Sequence, residues 1–410
     1  RSDNGLFVSN LIGTDALSAV NLTAPVISLV TAISTMLATG GSAVIMRKAG
    51  QQKAQEANED FTFLIAVNVA VGLIMSGLGY LIMDRLFERM SLSPAVAGYC
   101  RIYLSRYLIF TVPILLMNNF TLYMIAAGKS ALSMVCSITG GILNIVLDYV
   151  FISILDMGIA GAAIATGLGY SVTAVAGLVI FSKKDCLLHF VKPVCRIRTL
   201  VSAASNGSSE MAAALVTGIV TMMFNWTMLK YVGENGVAAI TIIMYVLMFA
   251  TSLYTGYSYG VAPMISFYYG EQNQDKLKKL IRLSMKIIGF IGAAALMVSL
   301  AVTEPLVAIF ARPDNPVYDL AVTGNRICSS ALVFIGFNVF ASGMFTALSN
   351  GLVSAVLAFS RSFVFMVAAM LILPAILGVT GAWLATPAAE AAAFLLSAVM
   401  FIKYRKKYQY

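Results

Sequence analysis

Asp148 is a carboxylate set inside a long apolar stretch, and Asn144 stands four residues before it. In a helix that spacing puts both side chains on one face. The next turn, near Leu155, returns the chain through Thr166. At about 1.5 Å per residue, Asn144 and Thr166 both lie about 16–17 Å below that turn, with Asp148 about one turn nearer the outer surface. Asp3 precedes the first outer turn by roughly nine residues, or about 14 Å on the same ruler. Four oxygen-bearing side chains, Asp3, Asn144, Asp148 and Thr166, are therefore expected at similar depth. An aspartate with neutral oxygen ligands suits a hard cation such as Na⁺. The same aspartate, desolvated, suits proton carriage. The residues leave both ions open.

The surroundings are a membrane. Hydrophobic residues make up 60% of the 410 and charged residues 11%, against about 45–50% and about 25% in ordinary globular proteins. Mean hydropathy is +0.88. The apolar stretches are long and unbroken, which predicts spanning helices rather than a barrel of short alternating strands. An ionisable group there is costly and points to function by default. Little chain remains for a water-exposed catalytic head, and the one histidine, His189, falls in a loop. With no HExxH-type constellation, an enzyme is not expected. Cys186, His189 and Cys195 share that loop at a spacing that fits no standard zinc pattern. No cofactor is expected beyond the coupling ion.

The net charge of +9 does not mark a nucleic-acid binder, because the basic residues sit at every second helix connection. They are Arg47, Lys48 and Lys53, then Lys129, then Lys183, Lys184, Lys192, Arg196 and Arg198. Lys276, Lys278, Lys279 and Arg282 follow, and Lys403, Arg405, Lys406 and Lys407 form the tail. This positive-inside pattern predicts that these loops and the C-terminus are cytoplasmic.

Spans are read at 15–46, 60–83, 94–127, 131–153 and 158–182, and then at 199–231, 236–268, 277–302, 319–347, 352–376 and 380–403. The opening residues, to about Leu11, read as the end of one more helix, so a first helix is expected to be largely missing from this chain. Residues 1–182 form an N-terminal lobe, 183–198 a flexible cytoplasmic connector, and 199–410 a C-terminal lobe. An internal repeat, at one fixed offset that carries Arg106 onto Arg326, supports the division. Along with that pair, Asn118, Phe120, Met124 and Ala127 match Asn338, Phe340, Met344 and Ala347. Gly158, Gly161, Ala162, Ala165 and Thr166 match Gly378, Gly381, Ala382, Ala385 and Thr386. Six spans per half put both copies in the same orientation, which predicts two six-helix bundles related by a pseudo-twofold axis along the membrane normal. A cleft between them would be the working part. At the same offset Asp3 becomes Met223, Asn144 becomes Val364 and Asp148 becomes Ala368, so packing does not require the polar cluster.

These residues also carry a family likeness. Ser2-Asp3-Asn4-Gly5-Leu6-Phe7-Val8, Gly13-Thr14-Asp15-Ala16-Leu17-Ser18-Ala19-Val20, Asn144-Ile145-Val146-Leu147-Asp148 and Gly158-Ile159-Ala160-Gly161-Ala162-Ala163 resemble signatures of the MATE (multidrug and toxic compound extrusion) family. The resemblance implies twelve helices in two lobes and export of organic, often cationic, compounds driven by Na⁺ or H⁺. It also implies an N-lobe ion site at Asp3, Asn144, Asp148 and Thr166. One branch of the family has a carboxylate deeper in the seventh span, near Thr217 here, where this sequence has none. The alternative is a lipid-linked saccharide flippase of the same superfamily, which would want several cationic residues within its cavity.

Of the remaining intramembrane polar groups, Glu210 is a candidate for cationic substrates or for the cytoplasmic mouth. Glu390 is expected to pair with Arg361, and Arg106 and Arg326 to snorkel or cap at outer helix ends. Asn118 and Asn338, being repeat-equivalent, serve as scaffold or substrate contacts. Met36, Met117, Phe120, Phe224 and Phe337 are expected to line a flexible apolar cavity. Small organic molecules and the lipid bilayer are the expected partners, for a monomer in a plasma membrane, here a bacterial inner membrane.

Overall fold

The computed structural model describes residues 14–90 and 92–410, so Asp3 and the expected helix end near Leu11 lie outside the described residues. The described chain is helical almost throughout. In the first half the helices are α1 (Thr14–Gly50), α2 (Ala54–Arg89), α3 (Pro94–Ile109), α4 (Thr111–Ala126), α5 (Ser130–Asp148) and α6 (Gly158–Phe181). The second half holds α7 (Ile197–Val232), α8 (Glu234–Gly270), α9 (Gln274–Ala301), α10 (Thr303–Phe310), α11 (Pro316–Cys328), α12 (Leu332–Ala347), α13 (Gly351–Phe359) and α14 (Met366–Tyr408). α5 runs on into a π-helical segment, Tyr149–Ile154, and α13 into another, Ser360–Phe365. Among the described residues, nine helices are long and apolar enough to cross a membrane, and α3 with α4, bent by 52°, makes a tenth.

The stretch Gly351–Tyr408 is 58 residues long, well beyond the roughly 20 residues that one crossing needs. Residues 29 apart in one straight helix stand about 43 Å apart, yet Arg361 and Glu390 are hydrogen-bonded. The chain reverses at Gly378, whose φ of 58° belongs to glycine's left-handed region. Its repeat counterpart Gly158 has φ 55° and starts α6 after the equivalent turn.

The repeat is visible in the element boundaries. α1 and α8 are both 37 residues long, and the repeat offset carries Thr14 onto Glu234 and Gly50 onto Gly270. The agreement is not complete: α3 begins at Pro94 but α11 at Pro316, two positions beyond the repeat offset. α5 begins at Ser130 and α13 at Gly351, one position beyond the repeat offset, and the turns before them place positive φ at Gly128 and Ser349. The original offset is restored by Gly158 and Gly378. A π turn takes up one residue without ending a helix, and the two π segments fall at different places in the two hairpins. Counted from the helix starts, Asn144 and Asp148 therefore stand opposite Phe365 and Ala369 rather than Val364 and Ala368. Neither alignment supplies an acid.

The chain divides into two compact units, one running through Ala204 and the other Ser205–Tyr410, with Gly50–Gln52 grouped with the second. In the first unit two apolar clusters form the core, one around Tyr103, Tyr107 and Leu115 and one around Phe61, Phe120 and Tyr123. The second unit is centred on Trp383, Ile243 and Phe224 and, separately, on Phe340, Phe345 and Met344.

The segment 183–198, expected as a flexible tether, is clasped to the first unit. His189 N donates to Asn58 Oδ1 (3.0 Å) and Val191 N to Thr62 Oγ1 (3.1 Å). Phe190 stacks on Phe61 at 5.3 Å, and Leu188 is fully buried. Arg196 donates to Asp60 Oδ1 (3.0 Å) and Glu59 Oε2 (2.6 Å), while Lys48 pairs with the other Asp60 oxygen. These bonds, to Asp60 first and then Glu59, raise Arg196 further above its ordinary range. Asp60 has no exposed surface, so two cations compensate a buried charge that would otherwise be costly.

Candidate functional site

In the first unit, α5 and α6 form the hairpin that carries the expected cluster. Their backbones approach through glycines. A Cβ added at Gly140 would lie 2.6 Å from the carbonyl oxygen of Gly169, and one at Gly169 2.7 Å from that of Gly140 and 3.0 Å from Asn144 Cβ. Small residues allow this approach, and it brings Asn144 against α6. Asn144 Nδ2 donates to Thr166 Oγ1 at 3.5 Å, and Thr166 Oγ1 donates to Ala162 O at 2.9 Å. Asp148 is fully buried, at the last α-helical position before the π segment. The spacing argument thus places Asn144 and Thr166 correctly as neighbours across the turn. The amide oxygen, the threonine oxygen and the carboxylate are hard donors of the kind that Na⁺ takes.

The second unit holds a larger polar interior. Glu390, 5% exposed, accepts from Arg361 Nε at 2.8 Å (Oε1) and 3.0 Å (Oε2). Asn338 Nδ2 donates to Glu390 Oε2 (2.7 Å) and to its backbone oxygen (2.9 Å), and Ser397 Oγ donates to Asn338 Oδ1 (3.1 Å). The Arg361–Glu390 pair expected from the sequence is present. Two turns before Arg361, Ser354 joins a buried hydroxyl cluster with Ser342 (2.9 Å), Thr346 (2.7 Å) and Ser209 (2.9 Å). Glu210, next to Ser209, is half-buried and accepts from Tyr259 Oη at 3.3 Å.

Several expectations need correction. Asn338 is 3% exposed and its amide bonds to Glu390 and Ser397, which is the scaffold alternative of its two readings. Phe120 (0%) and Phe224 (2%) lie in the cores of their own units. Met36, Met117, Asn118 and Phe337 keep partial exposure, and Phe337 packs on Phe394 at 5.5 Å. Arg326 does not simply snorkel: it forms an exposed ion pair with Glu304 at 2.7 Å, whereas Arg106 is exposed at the end of α3. The sequence reading missed the hydroxyl cluster and Asp60. The adjacency of Ser209 to Glu210, and the spacing of Ser354 and Arg361 on one helical face, were the available signals for the first.

A helical membrane chain that repeats one unit twice, with polar groups held inside each copy, is a transporter by class and not an enzyme. It belongs to the MatE family, whose model matches residues 5–150 and again 211–371, once in each repeat. The chain is 24% identical over 404 residues to the multidrug export protein MepA of Staphylococcus haemolyticus, covering 98% of this chain and 88% of that protein. Its fold matches that of an outward-facing multidrug resistance MATE family transporter of the MOP superfamily, with TM-score 0.93, 23% identity, and 100% and 92% of the two chains covered. It also matches a MOP superfamily transporter from Pyrococcus furiosus, whose binding pocket of reverse polarity suggests a different function for that protein (TM-score 0.89, 24% identity, 99% and 92% covered).

Proposed function

We propose that the protein is an antiporter that exports small organic compounds, cationic ones among them, in exchange for Na⁺ or H⁺ by alternating access. Asp148, Asn144 and Thr166, with Asp3, form the coupling-ion site, and Glu210 contributes to substrate binding. The observation that carries this reading is the contact of Asn144 with Thr166 in the same hairpin as the fully buried Asp148, in one repeat only. A purely structural cluster would be expected in both copies. The names of the staphylococcal relatives support multidrug export, and the alternating basic loops support a cytoplasmic C-terminus in a bacterial inner membrane. The protein works as a monomer.

The test is efflux from vesicles energised separately by a Na⁺ or a pH gradient, normalised to folded protein. Asp148→Asn keeps size and hydrogen-bonding capacity but carries no charge, so efflux is expected to fall at least tenfold under the coupling gradient. Full efflux by this variant, with unchanged dependence on both gradients, would make the cluster structural.

A further inference from the structure

In the second unit the start of α9 and the end of α14 enclose an open recess of about 440 Å³. Three cations line it, Lys278 from α9 and Arg405 and Lys406 from α14, against one carboxylate, Asp275. All four residues are exposed. Their basic neighbours are engaged elsewhere. Lys276 pairs with Glu271 at 3.7 Å, and the ammonium groups of Lys403 and Lys407 lie 5.7 and 5.8 Å from the centre of the Tyr404 ring. Among the described residues, Lys278, Arg405 and Lys406 make no ion pair and no side-chain hydrogen bond. Like charges gathered without a counter-ion repel one another, and an anion in the recess would relieve that repulsion.

The wall on the α14 side is anchored by aromatic rings. Tyr408 is buried, with the rings of Tyr269 and Phe345 centred 5.6 Å and 6.5 Å away. Gln409 turns the chain at φ 56°, its N donating to Arg405 O at 2.8 Å. Tyr410 then stacks on Tyr408 and donates through Oη to Phe401 O at 3.1 Å. Exposed apolar surface borders the cations. Ile402, one turn before Arg405 and Lys406, is 75% exposed, and Leu283 on α9 is 54% exposed. Arg282 and Lys286 carry exposed cations on into the apolar part of α9, Lys286 lying about 18 Å beyond Gln274. Cations edged by apolar surface at the ends of two membrane-length helices suit an amphiphile with an anionic head. A soluble anion would have no use for the apolar edge.

We propose that Lys278, Arg405 and Lys406 bind the phosphate of an anionic phospholipid headgroup, with the acyl chains running along the apolar surface at Ile402. The planar fork of Arg405 matches two phosphate oxygens, and the two lysines add point charges. Asp275 sets a limit on affinity, because it repels the same phosphate. A phosphocholine head brings its own cation into a recess of net positive charge and gains less. The site uses none of the residues assigned to ion coupling or export, so its test stands whether or not the protein exports drugs.

Native mass spectrometry of the full chain in neutral detergent counts the lipids bound. The wild type is expected to bind dioleoylphosphatidylglycerol about tenfold more tightly than dioleoylphosphatidylcholine. Lys278→Gln combined with Arg405→Gln and Lys406→Gln should lower phosphatidylglycerol affinity about tenfold or more, the size of a lost charge-assisted contact, and phosphatidylcholine affinity less than about threefold. Lys403→Gln with Lys407→Gln removes two charges from the same tail outside the recess and should change phosphatidylglycerol affinity less than about threefold. Asp275→Asn should tighten it about twofold or more, a gain that misfolding cannot mimic. Glycerol 3-phosphate carries the phosphate without acyl chains, and an excess of it should leave the lipid in place. Equal affinity of the wild type for the two lipids, unchanged affinity in the three-residue variant, or an equal loss in the Lys403 and Lys407 variant overturns the site. Displacement of the lipid by glycerol 3-phosphate overturns the lipid as occupant in favour of a soluble phosphate ester.

Discussion

Asn338 donates to Glu390 twice through Nδ2, at 2.7 Å to the carboxylate and 2.9 Å to the backbone oxygen. Among the described residues, the buried Nδ2 of its repeat counterpart Asn118 has no partner. One ancestral position thus serves as an anchor in the second unit and as an unsatisfied donor in the first. The difference follows from the residue opposite: Glu390 corresponds to Tyr170 at the repeat offset, so the first unit has no carboxylate there.

Truncating the two asparagines should therefore have unequal effects. Asn338→Ala removes a donor from a buried charge and is expected to cost about 2–3 kcal/mol. Asn118→Ala removes a group that already lacks a partner and should change stability by less than about 1 kcal/mol. Thermal unfolding in detergent, at matched scan rate, ranks them. If Asn118→Ala melts as low as Asn338→Ala, the Asn118 amide is not an idle donor.

The glycine contact between α5 and α6 makes a second prediction. At Gly169 a methyl group would press on Gly140 O and Asn144 Cβ, and the carbonyl is main chain that cannot rotate away. Gly169→Ala should separate the helices at a cost of about 1–3 kcal/mol and loosen the Asn144–Thr166 bond, so ion-coupled efflux should weaken. Gly141 has open space where a Cβ would go, and Gly141→Ala should instead be neutral or stabilise by up to about 1 kcal/mol. A similar fall in melting temperature for both variants would count against close packing as the cause.

Transplanting the acid should fail. In the Asp148→Asn background, neither Ala368→Asp nor Ala369→Asp should restore efflux, because the facing positions are Val364 or Phe365 and offer no amide oxygen. Recovery of gradient-driven efflux by either would mean that the acid works without Asn144.

Much of this was legible in the sequence. The repeat offset anticipates the matched ends of α1 and α8. A helical rise of about 1.5 Å per residue places Asn144 opposite Thr166, because both count from one turn. It brings Arg361 and Glu390 together by the same logic. The one-residue slip between α5 and α13 was not legible, since a π turn changes backbone bonding without a side-chain signature. The Ser209, Ser342, Thr346 and Ser354 cluster was hidden for another reason. Helical serine and threonine commonly satisfy themselves on their own backbone, and only packing decides which hydroxyls meet. Asp60 was read as the start of a span, because its partner Arg196 is far away in the sequence.

That long-range pair supports the last prediction. Asp60 is buried between Lys48 and Arg196, and Arg196 closes the segment that Asn58 and Thr62 hold by its backbone. Removing the acid, as in Asp60→Ala, leaves Arg196 with Glu59 and Lys48 with Glu56, both cations partly exposed, and is expected to cost about 1–3 kcal/mol. Arg196→Gln is gentler, since Lys48 still compensates Asp60, but the segment loses its ionic clamp. Trypsin should then cut after Lys183 and Lys184 severalfold faster than in the wild type, as local opening exposes more of the backbone. The Asn58→Ala and Thr62→Val variants should act in the same direction by freeing His189 and Val191. If cleavage in the segment is as fast in the wild type as in Arg196→Gln, the clasp does not restrain it, and 183–198 behaves as the free tether its charge and length suggest.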